Sequence, residues 1–392
     1  MTHRERILSA LRGQPVDCLP WVPRLDLWYN ANRHAGTLPA KWRDASLMEI
    51  VSGLGVGFHA VIPDFLDTEE PDEAFDRALG VDHVKNQPYR LRFNKVRRVV
   101  ERGDGRSRVL YKLPQGELSA VLRHDEGMRR AGATLMHIEE PVVKSLDDYP
   151  LVAALFEDLV VEPDQTRYRQ FRDEVGDAGV VVAFGNVTTS PVHHLLKELV
   201  AYDRFYFDLH DHPELIAQTA RRMQGYFDQV IAASAQSDAE LVLFGANYDL
   251  MVTPPPFFEP HIAPGLRQAA DALHATGKLL VTHTDGENEQ LNRFYVECGV
   301  DVADSVCPAP MTRLTLADYR REYGTRPAIW GGLCSVCVLE QSMTQAQFEA
   351  HVEQGIAAVG DGRGIVFSLA DTTPPGASVE RIAWIGERLG RP

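Results

Sequence analysis

The sequence predicts an α/β chain, a (β/α)8 TIM barrel carrying an N-terminal β-meander insertion. Three observations point there. From about residue 165, apolar runs of strand length alternate with helical periods of a dozen or more residues, the pattern of a parallel sheet. Neither G-x-G-x-x-G nor G-x-x-x-x-G-K-[ST] occurs, so the nucleotide turn common in open doubly wound sheets is missing. The 392 residues suit a barrel, which often exceeds ~250 residues as one unit.

The elements follow in order. Thr2 and Glu5 have capping-box spacing, and Ile7, Leu8 and Leu11 form the apolar stripe of an opening helix. Leu19–Ala31 is a short strand-like run that turns polar and aromatic. Residues 46–66 read as a helix and then a strand, VGFHAVIPDF. Over about 90–145 the alternation has period two, with turn signals at Gly103-Asp104-Gly105 and Pro114-Gln115-Gly116; this is the inserted meander. LDDYPLVAALFEDL returns the chain to helix. Six strand runs follow, at 180–186, 240–249, 278–286, 300–308, 327–335 and 364–371. With two near the N-terminus they make eight, in a single domain spanning 1–392.

Composition narrows the function. Apolar residues make up 44 % and charged residues 24 %, an ordinary globular balance that argues against disorder. A net charge of −15 opposes nucleic acid and anionic lipid. Arg97, Arg98, Arg102, Arg106 and Arg108 interleave with Glu101 and Asp104, which reads as a solvated hairpin. No apolar run reaches the ~20 residues of a membrane span, the N-terminus lacks the apolar core of a signal peptide, and five cysteines is an odd, low number. The expectation is a cytoplasmic chain with reduced thiols.

In barrels the active site lies at the C-terminal ends of the strands. Where each run turns polar stand Arg24, Asp26, Asp64, Asn186, Asn247, Tyr248, Asp249, His283, Asp285, Asp304, Cys334 and Asp371. Together they predict an acidic, hydrogen-bonding rim that holds a cation or moves protons. Taken singly, each Asp or Asn also suits a helix N-cap. In His283-Thr284-Asp285-Gly286, residues i and i+2 share a strand face, so imidazole and carboxylate can ligate one ion or form a metal-free pair. Gly286 gives the backbone room to turn. Cys334-x-x-Cys337 is a lone CxxC, read as buried thiols, with Cys334 kept as a ligand because it ends a strand. Adjacent His193 and His194 cannot share a helix face and are read as packing.

At these residues the chain resembles the uroporphyrinogen decarboxylase superfamily, which includes the decarboxylase and methyltransferases serving corrinoid proteins and coenzyme M. The resembling segments are THRERILSALRGQPVDCLP, TGKLLVTHTDG, AIWGGLCSV and GIVFSLADTTPPGASVERI. The decarboxylase carries an Arg-Gln-Ala-Gly-Arg-Tyr-type segment that grips carboxylates. Here Pro23-Arg24-Leu25-Asp26-Leu27-Trp28-Tyr29 offers only Arg24, opposed by Asp26. The methyltransferase branch holds zinc through His-x-Cys and a distant Cys. His283 matches the histidine, while Asp285 stands at the first cysteine and Asp371 close to the second. The resemblance therefore implies a harder zinc site of His283, Asp285 and Asp371, suited to polarising an ether oxygen.

The function expected is a methyltransferase or demethylase of a small O-, N- or S-methyl compound. The methyl group would pass to or from a corrinoid on a partner protein, or a similar carrier. His283, Asp285, Asp371 and Asp249 are assigned to catalysis, and Arg24, Asp26, Asn186, Asn247, Tyr248 and Cys334 to substrate binding. Zinc and the corrinoid are the cofactors expected; the partners are the small substrate, a corrinoid carrier protein and a second copy in a homodimer. Cofactor-free decarboxylation of a porphyrinogen or smaller carboxylate is the first alternative, and a non-catalytic ligand-binding barrel the second.

Overall fold

The computed structural model describes residues 1–61, 77–81 and 84–390. Asp64 lies outside these. Six parallel strands run side by side in chain order: Ala183–Asn186, Leu241–Ala246, Leu279–His283, Val302–Val306, Ala328–Leu333 and Ile365–Leu369. Phe58–Ala60 pairs in parallel with Gly179–Val181, which continues past Val182 into the first of the six. Trp21 closes the ring. Val22 N donates to Phe367 O and Phe367 N to Pro20 O, both at 2.9 Å, and Gly57 N donates to Trp21 O at 2.9 Å. Eight chain positions thus surround one axis, as the alternation of runs predicts.

Parallel strands covered on both faces read as continuous apolar runs, which is why they are legible in sequence. Their inward side chains still alternate. Val180, Val182 and Phe184, Leu241 and Leu243, Val281, Val302, Ala328 with Trp330, and Val366 form one buried cluster inside the barrel. The helix His3–Leu11 plugs its N-terminal end with Ile7, Leu8 and Leu11. Both reciprocal bonds of the Thr2–Glu5 capping box are present. A larger apolar cluster lies outside the ring, between strands and surrounding helices.

Two local readings are refined. The strand-like run at Leu19–Ala31 contributes only a bridge at Trp21, and a helix begins at Asp26. The period-two stretch forms a four-stranded antiparallel sheet of Arg97–Gly103, Arg106–Leu113, Gly116–Arg123 and His137–Glu140. Asp104 and Gly105 both have positive φ (49° and 72°), the conformation a two-residue hairpin loop requires. The arginines here meet acids: Arg106 donates to Glu139 at 2.6 and 2.9 Å, and Arg108 lies 3.7 Å from Glu101. Among the described residues no helix is long and apolar enough to cross a membrane.

Candidate active site

The inward alternation of the fifth and sixth strands sets the chemistry. Val281 faces the interior, so His283 does too; Val302 faces it, so Asp304 does as well. The register places His283 directly beside Asp304 and Asp304 beside Trp330. Asp304 Oδ2 is 2.6 Å from His283 Nδ1, and both side chains are buried. His59 Nε2 stands 3.7 Å from the other oxygen, Asp304 Oδ1, and its ring packs edge-on against Trp330. With Nδ1 occupied, His283 presents Nε2 to the mouth, 3.5 Å from Asp371 Oδ1.

The three residues expected as ligands converge. One atom each of His283, Asp285 and Asp371 lie within 4.8 Å of one another. Arg24 bridges the far side, with Nε 3.1 Å from Asp26 Oδ2 and Nη1 3.3 Å from Asp371 Oδ1. The backbone is bent to achieve this. Asn247, Ser305 and Asp371 all adopt positive φ (56°, 63° and 54°), costly for residues other than glycine and concentrated here at strand ends. Ser305 Oγ accepts from the Asp371 amide at 2.6 Å, and Asn247 N donates to His283 O at 3.0 Å. Gly286 has φ of 100°, and a Cβ there would sit 2.6 Å from Tyr248 O.

These neighbours shift the ionisable groups. Burial disfavours a charged His283, but hydrogen bonds and attraction to Asp304 and Asp371 outweigh it and raise its pKa to about 9. Burial likewise opposes an ionised Asp304, yet bonds to His283 and His59 hold its carboxyl below the usual range. Asp371 is also held down, against its burial, by His283 and Arg24. Asp285 is pushed up, chiefly by burial and secondarily by Asp371, with His283 opposing.

A cavity of about 440 Å3 opens onto this rim. Arg24, Asp26, Asn247, His283 and Asp371 line it, as expected of mouth residues. Gly132–Leu135, between the third and fourth strands of the inserted sheet, form part of another wall. Other expected residues lie elsewhere. Tyr248 is fully buried in an aromatic cluster with Phe258 and Tyr295, its hydroxyl 3.0 Å from Thr282 Oγ1. Asp249 accepts from the amides of Met251 at 2.8 Å and Glu287 at 3.0 Å, so it organises a loop. Cys334 is buried against His351 and does not line the cavity. Asn186 follows inward-facing Phe184 by two residues, and its Nδ2 is buried without a hydrogen-bond partner among the described residues. His193 and His194 are core residues; His193 stacks on Tyr248, and His194 bonds Thr188 Oγ1 and Leu79 O.

Three contributors escape sequence reasoning. His59 sits inside an apolar run. Lys197 lies in a π-turn, Leu195–Leu199, that interrupts helical periodicity and aims Nζ at Ala246 O, 3.1 Å away, in the cavity wall. Burial, with a lesser push from Arg77, lowers its pKa to about 8 against the pull of Glu198. Arg77 pairs with buried Glu198 beside it. The lone usable signal was a lysine and a glutamate within an otherwise apolar LLKELV.

The donor set fits a metal ion on the structure's own terms. A metal-binding histidine commonly engages its second ring nitrogen with a carboxylate, which fixes the tautomer and raises basicity. Asp304 does this for His283, and two carboxylates face the free Nε2.

Known proteins agree with this architecture. No curated protein matches the chain by sequence. Among solved structures, a methyltransferase from Methanosarcina mazei superposes with a TM-score of 0.56 at 13 % identity, covering 99 % of this chain and 98 % of its own. That likeness shows a shared fold. The model of the Uroporphyrinogen decarboxylase (URO-D) family matches residues 165–389, from the third barrel position to the last helix and including every member of the His283–Asp304–Asp371 cluster. With more than half of its length so matched, the chain belongs to the uroporphyrinogen decarboxylase (URO-D) family.

Proposed function

We propose that this chain is a methyltransferase or demethylase acting on a small O-, N- or S-methyl compound held in the barrel mouth. The methyl group passes to or from a corrinoid cofactor on a partner protein, or a similar carrier. One observation carries the reading: ligand atoms of His283, Asp285 and Asp371 converge within 4.8 Å of one another, His283 and Asp371 line the cavity, and Asp304 anchors His283 from behind.

His283, Asp285 and Asp371 would hold zinc. When bound, zinc supplies Lewis acidity to the methyl-bearing heteroatom and stabilises the leaving group. The remaining work falls to side chains. A methyl group that leaves as an electrophile strands an electron pair on the heteroatom, which then needs a proton. Lys197 Nζ, with a pKa near 8, holds one at neutral pH and lines the same cavity. Asn247 orients the substrate by hydrogen bonding, and Arg24 keeps Asp371 ionised and in place.

The porphyrinogen alternative fares worse. Arg24 and Arg77 line the cavity, but each is already ion-paired, to Asp26 and Asp371 and to Glu198. A substrate bearing many carboxylates needs such cations uncommitted. A cavity of about 440 Å3 also suits a small ligand.

The test is methyl transfer to reduced cobalamin from a panel of methoxylated compounds, methylamines and thioethers, alongside metal analysis. Methylcobalamin should form with some members, and Asp371→Asn should lose both the metal and the transfer. No transfer from any member, with carbon dioxide released from a carboxylated substrate instead, would sink the proposal.

A further inference from the structure

The CxxC motif acquires a third member in the fold. Cys334 follows the seventh strand, Cys337 lies one short turn later, and His351 comes from the helix Gln345–Val359 that packs behind them. His351 Nε2 is 3.3 Å from Cys334 Sγ, and the ligand atoms of all three lie within 4.8 Å of one another. None of these side chains lines the barrel-mouth cavity.

We propose that Cys334, Cys337 and His351 form a second metal site, a thiolate-rich one for zinc, distinct from the oxygen-rich cluster at the mouth. The spacing fits. Zn–S bonds of about 2.3 Å and Zn–N bonds of about 2.0–2.1 Å in a tetrahedron separate sulfur from nitrogen by roughly 3.5 Å, and two sulfurs by roughly 3.8 Å. The imidazole and the first sulfur already stand at nearly that separation, before any ion draws them in. The chemistry fits as well. Soft sulfur ligands with one imidazole select zinc over the hard cations that a carboxylate rim accepts.

The surroundings show how the ion would enter and what it would hold. Both cysteines are completely buried, while His351 is half-buried and forms the outer edge of the cluster. Arg381 clamps the same turn by donating to the carbonyls of Cys337 at 2.9 Å and Leu339 at 3.0 Å. Zinc therefore fastens a turn that closes the seventh barrel strand to the helix outside it. A dithiol serving only redox exchange needs two sulfurs and an open face; here the third ligand is in place and the sulfurs are enclosed.

Cobalt(II) distinguishes the two sites, because only thiolate ligation gives sulfur-to-cobalt charge-transfer absorption. The full-length reduced protein titrated with Co2+ should develop that absorption, and Zn2+ should bleach it. Cys334→Ser and Cys337→Ser should abolish it, and His351→Ala, at the accessible edge, should weaken Co2+ binding roughly tenfold or more. His283→Ala and Asp371→Asn should leave it intact. If the cysteine variants fail to fold, the His351→Ala titration decides alone. The proposal is overturned by absent charge-transfer absorption in the reduced wild type, by binding that is equal in His351→Ala, or by absorption lost in His283→Ala. A Cys334–Cys337 disulfide that forms in air as readily with saturating Zn2+ as without it overturns it too.

Discussion

Asp304 grips His283 by Nδ1 at 2.6 Å, and the two residues are direct neighbours across adjacent parallel strands. The pair is thus fixed by sheet register, not by a loop. Asp304→Asn keeps the shape but frees the ring to choose the other tautomer. We expect metal affinity and kcat/KM to fall about 10–100-fold, with the melting temperature nearly unchanged. Isothermal titration with Zn2+ and steady-state kinetics check this; an unaltered kcat/KM would mean that His283 takes no part in turnover.

Lys197 gives the pH dependence. Its pKa is lowered in the folded chain from 10.5 to about 8, mainly by burial. As a proton donor it works below that value, so kcat should decline as pH rises through about 8. Lys197→Gln should lower kcat ~10²-fold or more and remove that alkaline limb. Stability should run the other way. Between about 8 and 10.5 the unfolded chain holds the proton that the folded chain has lost, so wild-type stability gains with pH over that window. Urea midpoints across the window, compared with those of Lys197→Gln, read this directly.

Gly286 has no room for a side chain. A Cβ would meet Tyr248 O at 2.6 Å and Asp249 Oδ2 at 3.0 Å, and φ of 100° is itself unfavourable for any other residue. Gly286→Ala must therefore move Asp285 beside it. The expected cost is about 1–3 kcal/mol of stability, with a loss of activity larger than that of Gly277→Ala, which meets nothing within 4 Å. Equal activity in the two variants would show that Asp285 tolerates displacement.

Far from the mouth, Arg6 carries a separate test. Its side chain is 1 % exposed and donates to Asp17 Oδ1 at 2.7 Å and Oδ2 at 2.9 Å. The bond to Arg6 is the main reason the Asp17 carboxyl titrates below its usual 3.8. That contribution is present above 3.8 and is lost as falling pH protonates Asp17. Arg6→Met should cost about 1–2 kcal/mol at neutral pH, a modest figure because Asp17 remains 42 % exposed. The difference between wild type and variant should shrink in acid, as thermal melts at pH 7 and pH 3 would reveal.

How much of this was legible beforehand depends on the kind of signal. Barrel strands buried on both faces announce themselves as apolar runs, and His283, Asp285 and Asp371 stood out as the polar residues ending them. The meander was visible because its turns demand glycine and its strands alternate. What failed to show were relations set by backbone distortion or by distant packing. Asn247 and Tyr248 are adjacent, yet φ of 56° at Asn247 leaves one in the cavity and the other in the aromatic core. Lys197 reaches the mouth only because a π-turn shifts the helix phase. His351 meets Cys334 across 17 residues of chain, a distance that no local periodicity spans.

The wall contributed by Gly132–Leu135 comes from the inserted segment, whereas the histidine and carboxylates come from the barrel strands. The mouth is thereby shared between the inserted segment and the barrel, which also brings Phe184, Val187 and Asn247 to its wall. An exchange at Thr134 or Leu135 therefore reshapes one side of the cavity without touching the strands that carry the histidine and its carboxylate partner.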